Sequence, residues 1–203
     1  MKRFRKFLLP ALLLLSLSGP RIPAQAGEQV QDAGLRLIQN YISSGWDALT
    51  RSMTSCDAFV DPKMTAPSVL YLPADFPAPA SVERLQQECK VEVKHLPMMV
   101  THPGEIDPEK VQPAGLLFLE NNYVVPGGRF NEMYGWDSYF IILGLLRAGR
   151  IDLARDMVEN FFFEIQHYGT VLNANRTYYL TRSQPPFLTS MILAVYDAAK
   201  AAG

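Results

Sequence analysis

The sequence has little metal-binding chemistry. Its 203 residues include two cysteines, Cys56 and Cys89, and three histidines. Neither cysteine has a histidine or a second cysteine at the spacing that zinc sites use, so a zinc site is not predicted. The two cysteines form a possible disulfide, but their spacing does not tell how close their Cα atoms come, and two buried thiols remain the alternative.

The sequence also lacks a basic surface. The formal net charge is −1, from 19 basic and 20 acidic residues. Residues 1–26 hold five of the basic groups and no acidic ones, so the remainder carries 14 basic and 20 acidic groups, a net charge of about −6. Proteins that bind nucleic acid need clustered Lys and Arg, and no such run follows residue 26. A nucleic-acid partner is therefore not predicted.

The apolar run near the amino terminus is too short for a membrane span. It extends from Phe7 to Leu17, contains Pro10 and stops before Gly19 and Pro20, whereas a spanning helix needs about 20 residues. Four basic residues precede the run, and the small residues of 24–26 follow it, which is typical of a signal peptide. We therefore expect a signal peptide over 1–26, a periplasmic or secreted protein, and no stable membrane anchor.

The amino-terminal half is predicted to contain one long helix and much irregular chain. Apolar residues recur every three or four positions over 28–51, which favours an amphipathic helix that packs on the rest of the protein. Its apolar face is predicted as Leu35, Ile38, Tyr41, Ile42, Trp46 and Leu49. The Pro-rich stretch 61–79 favours an extended connection with a short strand at Val69–Leu72. A short helix is predicted over Val82–Cys89, an extended segment over 91–100, and irregular chain over 102–113.

The carboxyl half is predicted to form helical hairpins. An almost wholly apolar helix is expected over Trp136–Leu146, and such a helix should be covered by protein on most sides. It is followed by a helix that Asp152 caps and Gly169 ends. The buried stripe of this second helix is predicted as Leu153, Met157, Val158, Phe161, Phe162 and Ile165. A third helix is expected to begin around Pro185 and Pro186. The pattern indicates an all-α fold with an irregular, Pro-rich amino-terminal region.

The segment from Pro126 to Tyr139 is rich in groups that bind a sugar. Pro-Gly-Gly permits a tight turn, Arg129 offers a planar set of donors, and Trp136 offers a flat apolar face. Sugars present apolar ring faces and hydroxyl groups, which carboxylates such as Asp137 can accept from. The alternative is structural: Trp136 and Tyr139 in the core, Arg129 paired with Glu132, and Asp137 as a helix cap.

A second polar cluster lies between two predicted helices. It comprises Asn173–Tyr179 and Arg182–Pro186, in a loop at one end of the helical scaffold, where binding sites are often built. The alternative is a solvated loop in which asparagines provide turn geometry and Gln184 caps the next helix.

The two clusters resemble the signatures of the trehalase family of glycoside hydrolases. Residues 126–139 match the pattern PGGRF-x-E-x-Y-x-W-D-x-Y almost completely. Residues 173–180 and 182–187 resemble the next conserved stretch, in the same order and at the expected separation. Two positions depart from the family: Gly135 replaces a common aromatic residue, and Ala174 replaces a frequent glycine.

The resemblance implies a function and a set of site residues. It implies that one glucose of trehalose is bound by Arg129, Trp136, Asp137, Asn173, Arg182, Ser183 and Gln184, with Glu132 and Arg176 in support. The family hydrolyses trehalose to two glucoses with inversion, using two carboxyl groups from later segments. No catalytic residue is therefore expected within this chain, which alone would be inactive. The family mechanism needs only carboxyl groups and water, so the resemblance implies neither a metal nor an organic cofactor. A noncatalytic carbohydrate-binding protein derived from a trehalase is the alternative.

The resemblance also implies a fold and a domain plan. The family fold is an (α/α)6 toroid of helical hairpins, which the helices predicted here do not complete. We expect an irregular, wrapping amino-terminal part over 27–115 and a partial barrel over 116–203, to be completed by a missing carboxyl-terminal barrel portion. A generic helical domain that binds a partner chain is a further alternative.

Overall fold

The computed structural model describes residues 24–59, 67–89 and 91–203, and divides the chain into two units, 1–41 and 42–203. Residues 1–23 of the predicted signal peptide lie outside the described part. The next residues, Ala24–Ala26, which we expected to be a cleavage site, belong instead to the first turn of helix α1 (Ala24–Leu49).

The first unit is described only over its helical residues 24–41. An ion pair joins Arg36 to Asp32 one turn away, with Nη2 and Oδ2 3.1 Å apart. Leu35, Ile38 and Tyr41, which we predicted to face the protein core, are exposed. The periodicity found the helix correctly, but it did not decide whether the apolar face is covered.

The second unit begins with the last turns of α1, where Trp46 and Leu49 pack against the core. Five short strands follow among the described residues: β1 (Thr50–Arg51), β2 (Val69–Leu72), β3 (Glu92–His95), β4 (Leu116–Leu117) and β5 (Tyr123–Val124). The strand predicted at Val69–Leu72 is confirmed. Helix α2 (Ala80–Glu88) confirms the short helix predicted over Val82–Cys89.

Strands β3, β2 and β4 form a parallel sheet in that order. Leu70 pairs with Val93 on one side and with Leu116 on the other. All four residues of β2 are buried, as expected for the central strand of a parallel sheet. The sheet links the predicted segments 27–115 and 116–203, whose boundary stays a prediction. A separate antiparallel pair joins β1 to β5, with Arg51 opposite Tyr123.

A disulfide joins Cys56 to Cys89, whose Cα atoms are 5.4 Å apart. Cys56 begins a single 3-10 turn, Cys56–Ala58, and Cys89 follows the last residue of α2. The disulfide ties α2 to the segment that follows β1, and both half-cystines pack against the hydrophobic core.

Replacing both half-cystines with serine is expected to lower the free energy of unfolding by about 2–4 kcal/mol. The cross-link closes a loop between residues 33 apart in sequence and restricts the unfolded chain. Denaturant titration without reductant measures the difference. A reductant should destabilise the wild-type protein and leave the Cys56→Ser/Cys89→Ser variant unchanged; equal unfolding midpoints for both proteins would disprove this contribution.

Helices α3 (Asp137–Arg147), α4 (Ile151–Tyr168) and α5 (Leu188–Ala202) pack against one another. All three predicted helices are confirmed. Three details differ from prediction. Asp152 lies in the first turn of α4 rather than at its cap, which is Arg150. Phe162 and Ile165 are exposed, whereas Phe163, Glu164 and Tyr168 are buried. Helix α3, predicted to be covered on most sides, exposes Phe140 and Leu143.

Helix α4 ends as the sequence predicts. Gly169 has φ of 75°, the left-handed conformation that commonly terminates helices. A side chain there would also collide with neighbouring chain, because a Cβ atom would lie 2.6 Å from the backbone nitrogen of His102. The glycine thereby sets the start of the loop that carries the second polar cluster.

Candidate functional site

The two polar clusters are adjacent in the structure. The Gly135 amide donates to the Asn173 carbonyl at 3.1 Å, and the Asn173 amide donates to the Arg182 carbonyl at 2.8 Å. Tyr134 and Ala174 form an antiparallel bridge beside these bonds. Gly135 lies so close to the second cluster that a Cβ atom would be 2.9 Å from the Leu172 carbonyl oxygen. This close approach leaves no room for a side chain at position 135 in this chain.

A buried ion pair joins the two clusters. Arg176 Nε donates to Glu132 Oε1 at 2.7 Å, and both residues are buried, Glu132 completely. Glu132 Oε2 also accepts the Asn131 amide at 3.1 Å. The structural alternative for Glu132, an ion pair with Arg129, is therefore replaced by a pair with Arg176. Since water cannot reach Glu132, its carboxylate stabilises the backbone rather than contacting a ligand.

Two buried asparagines, Asn131 and Asn175, extend this polar layer, and neither was predicted from the sequence. Asn175 Oδ1 accepts the Met133 amide at 2.7 Å, while Asn175 Nδ2 donates to the Leu117 carbonyl at 2.8 Å. The carbonyl of Asn131 accepts the Tyr123 hydroxyl at 2.7 Å. Their position inside the two signatures was a signal, but asparagines in polar loops are more often explained by turn geometry.

Arg51 is a third buried polar residue that was not predicted from the sequence. It lies at the end of β1, and its guanidinium reaches the turn that begins at Pro126. Arg51 Nε is 3.3 Å from Asn131 Oδ1. Nothing in the local sequence identifies it, because its contacts with the first signature are made to residues 77–80 positions away.

The predicted aromatic platform is accessible. Trp136 is 41% exposed and begins a cluster of rings at the start of α3. Its ring centroid lies 6.0 Å from that of Phe140 and 6.4 Å from that of Phe187. Tyr139 stacks on Phe187 at 4.9 Å. The alternative that Trp136 and Tyr139 are core residues does not describe Trp136, whereas Tyr139 is half-buried and packs against the core.

The predicted polar contacts differ in accessibility. Arg129, Arg182 and Ser183 are exposed, whereas Asp137 and Asn173 are half-buried. Asp137 is the first residue of α3, whose cap position is Trp136. Gln184 Oε1 accepts the Trp136 amide at 2.7 Å, so it caps α3, not the following helix as the structural alternative supposed. The side-chain amide oxygen of Gln184 is therefore hydrogen-bonded within the protein.

Some of the predicted site residues line two different pockets. A groove of about 360 Å³ is lined by Gly135, Ser183 and Gln184 together with apolar groups of α4 and α5, among them Ile165 and Met191. A polar pocket of about 340 Å³ contains Arg182, with Asp107, Glu109 and Gln112 around it. The structure therefore joins the two clusters through their backbones but places Arg182 and Ser183 in different pockets.

A second fully buried carboxyl group, Glu164, lies on α4 next to the loop that leads to Asn173. Its Oε2 accepts the Leu172 amide at 3.0 Å, whereas Oε1 has no hydrogen-bond partner among the described residues. Burial raises the pKa of Glu164 to about 8, an effect that the Leu172 amide partly opposes. The adjacent Tyr168 donates its hydroxyl to the Phe118 carbonyl at 2.8 Å. Glu164 therefore supports the loop before Asn173 as a neutral acid at neutral pH.

The side chains at this surface are of types that can bind a ligand with hydroxyl groups and an apolar face. Arg129, Asp137 and Asn173 offer donors and acceptors for hydroxyl groups, and Trp136 offers an apolar face. Among the residues of the described ranges, no three His, Cys, Asp or Glu side chains lie close enough to hold a metal ion.

A model of the family described as Trehalase matches residues 20–202. The chain belongs to the trehalase family. A probable trehalase of Eremothecium gossypii is 41% identical over 193 residues, covering 82% of this chain and 26% of that protein. The cytosolic neutral trehalase of Saccharomyces cerevisiae is 42% identical over 178 residues, covering 74% of this chain and 23% of the relative. The resemblance found in the two signatures is thus confirmed.

A solved structure of a trehalase shows the same fold. The neutral trehalase of Saccharomyces cerevisiae matches with a TM-score of 0.67 and 39% identity, covering 81% of this chain and 34% of that structure. The predicted incomplete (α/α)6 toroid of helical hairpins is therefore confirmed. The chain, predicted to be all-α, is mostly helical and also contains two small sheets. The chain spans about a quarter of the length of the curated trehalases that it matches.

The prediction of a signal peptide and of a periplasmic or secreted protein is wrong. Relatives from Saccharomyces cerevisiae, Emericella nidulans and Neurospora crassa are named cytosolic neutral trehalases. The family match also begins at residue 20, inside the predicted leader. None of the described helices is long and apolar enough to cross a membrane.

Proposed function

We propose that this chain supplies the glucose-binding wall of an α,α-trehalase, an enzyme that hydrolyses trehalose to two glucoses with inversion. Arg129, Trp136, Asp137 and Asn173 would contact one glucose, together with Arg182, Ser183 and Gln184. The observation that carries the proposal is the joining of the two signatures through the Gly135–Asn173 and Asn173–Arg182 backbone bonds. Glu132 and Arg176 would support this wall.

The accessibility of the carboxyl groups supports a binding role over a catalytic one. An inverting glycosidase needs an acid and a base about 6.5–9.5 Å apart, with room between them for the sugar and a water molecule. Glu132 is fully buried and bonded to Arg176, so it can serve as neither. Asp137 is accessible, but it lacks a second accessible carboxylate within its own signature. The catalytic acid and base would come from outside these two signatures.

We propose the same division into two parts that was predicted from the sequence. Residues 116–203 would form part of the helical barrel, and residues 27–115 would wrap over it. The remainder of the barrel would be the principal protein partner of this surface, and trehalose its small-molecule ligand.

Replacing Asp137 with alanine is expected to raise the dissociation constant for trehalose about tenfold or more. Removing a carboxylate that accepts from sugar hydroxyls loses roughly 1.5–3 kcal/mol of hydrogen bonding. Calorimetric titration of the native protein measures binding, and an assay for released glucose on the same sample measures hydrolysis. Asp152→Ala is the matched control, because Asp152 is exposed on α4 away from the signatures.

The two measurements separate the possible outcomes. Binding with glucose release supports a trehalase, and binding without release favours the noncatalytic carbohydrate-binding alternative. Native protein that shows no affinity for trehalose would overturn the proposal. Equal affinities of Asp137→Ala and Asp152→Ala would remove Asp137 from the site.

A further inference from the structure

Arg51 is a buried arginine beneath the turn that carries Arg129. It is the last residue of β1, and only 8% of it is exposed. The pairing of β1 with β5 sets Arg51 opposite Tyr123, just before the chain enters the first signature. This register directs Arg51 toward residues 128–131.

The guanidinium of Arg51 connects two parts of the chain. Nη1 donates to the Ala48 and Thr50 carbonyls at 3.0 and 3.1 Å, which anchors it to the end of α1. On the other side, Nη2 donates to the carbonyls of Gly128 and Phe130 at 3.4 and 3.3 Å. The bonds to the turn are long, so each is weak alone, and the constraint comes from their combination.

All acceptors around Arg51 are neutral amide oxygens. Among the described residues, no carboxylate lies within 4.0 Å of its guanidinium, whereas Arg84, Arg150, Arg155 and Arg176 of the second unit each pair with a carboxylate. Burying a cation without a counter-ion is costly, and an apolar residue of similar size would avoid that cost. A role in holding the carbonyl groups of the turn accounts for a charged residue at this position.

We propose that Arg51 is a positioning residue that fixes the turn 128–131 and thereby orients Arg129 in the glucose-binding wall. The part that concerns Arg129 depends on the proposed function, whereas the constraint on the turn does not. Arginine suits this role because its planar guanidinium carries five donors in a fixed arrangement. A lysine ammonium has three donors on one atom, and it would not span the end of α1 and both turn carbonyls.

The test compares Arg51→Gln and Arg51→Lys with the control Arg150→Gln in the native protein. Arg150 also binds the end of α1, through Ser43 Oγ at 3.0 Å and Asp47 Oδ1 at 2.8 Å, but it does not contact residues 126–131. Hydrogen exchange of the amides of 128–131 measures the constraint, calorimetric titration measures trehalose affinity, and thermal unfolding measures global stability.

We expect faster amide exchange over 128–131 and about a tenfold higher dissociation constant for trehalose in Arg51→Gln, the factor that corresponds to one lost hydrogen bond to a charged group. Arg51→Lys should be intermediate. Arg150→Gln should change neither the amide exchange over 128–131 nor the trehalose affinity, even if it lowers the unfolding temperature as much as Arg51→Gln does. Unchanged exchange over 128–131 in Arg51→Gln would overturn the proposal. If the wild-type protein does not bind trehalose, the proposed function fails, and the exchange data still decide whether Arg51 holds the turn.

Discussion

Replacing Glu132 with glutamine is expected to lower the free energy of unfolding by about 3–5 kcal/mol, the usual cost of removing one partner of a buried ion pair. The substitution preserves the shape of the side chain but leaves the Arg176 guanidinium buried without its carboxylate. Denaturant titration at neutral pH measures the loss. Because the pair joins the two signatures, we expect trehalose affinity to fall as well.

The matched control is Glu159→Gln on α4. Glu159 pairs with Arg155 at 3.8 Å, but both side chains are about half exposed, so solvent screens the interaction. Such pairs contribute about 0–1 kcal/mol. A loss for Glu132→Gln no larger than that for Glu159→Gln would show that the buried pair does not hold the signatures together.

The Glu164→Gln variant is expected to be more stable than the wild-type protein at pH 7. Burial raises the pKa of Glu164 to about 8, from an ordinary value of 4.5. Between these values the folded protein keeps a proton that the unfolded chain has released. Stability therefore falls as pH rises from 4.5 to about 8 and levels off above that. At about 1.4 kcal/mol per pH unit, the wild-type protein loses roughly 3 kcal/mol between pH 4.5 and 7 through this group.

Glutamine removes this pH dependence because it is neutral in both states and keeps an oxygen for the Leu172 amide. Unfolding free energies at pH 5, 7 and 8.5 should converge in the variant more than in the wild-type protein. Glu159→Gln reports any general effect of removing one negative charge from α4. If the free energy of unfolding of the wild-type protein did not fall between pH 5 and 8.5 relative to that of Glu164→Gln, the raised pKa of Glu164 would be disproved.

Much of the fold could be predicted because its signals are local. Helix periodicity located α1, α3, α4 and α5, and Gly169 marked the end of α4 through its backbone conformation. The prediction failed where burial depends on neighbours. Helix α4 has apolar residues on more than one side, and the sequence does not say that Phe163 is covered while Phe162 is exposed.

The export prediction failed for a related reason. A basic segment, an apolar run and small residues form a pattern that is judged by composition, and composition does not show whether the segment is cleaved. The structure places Ala24–Ala26 in α1, and the relatives carry names of cytosolic enzymes. The residues that follow the basic and apolar segment therefore do not support a cleavage site.

The sequence by itself determined the family and the main helices, because signature residues and helical periodicity are contiguous in the chain. Only the tertiary structure decided which groups are buried together. Arg51 meets Asn131 across 80 positions, and Arg176 meets Glu132 across 44. The tertiary structure likewise decided that Gln184 bonds to the start of α3 and that Glu164 is buried against the loop before Asn173. Such contacts arise from packing between distant segments, and no local pattern encodes their partners.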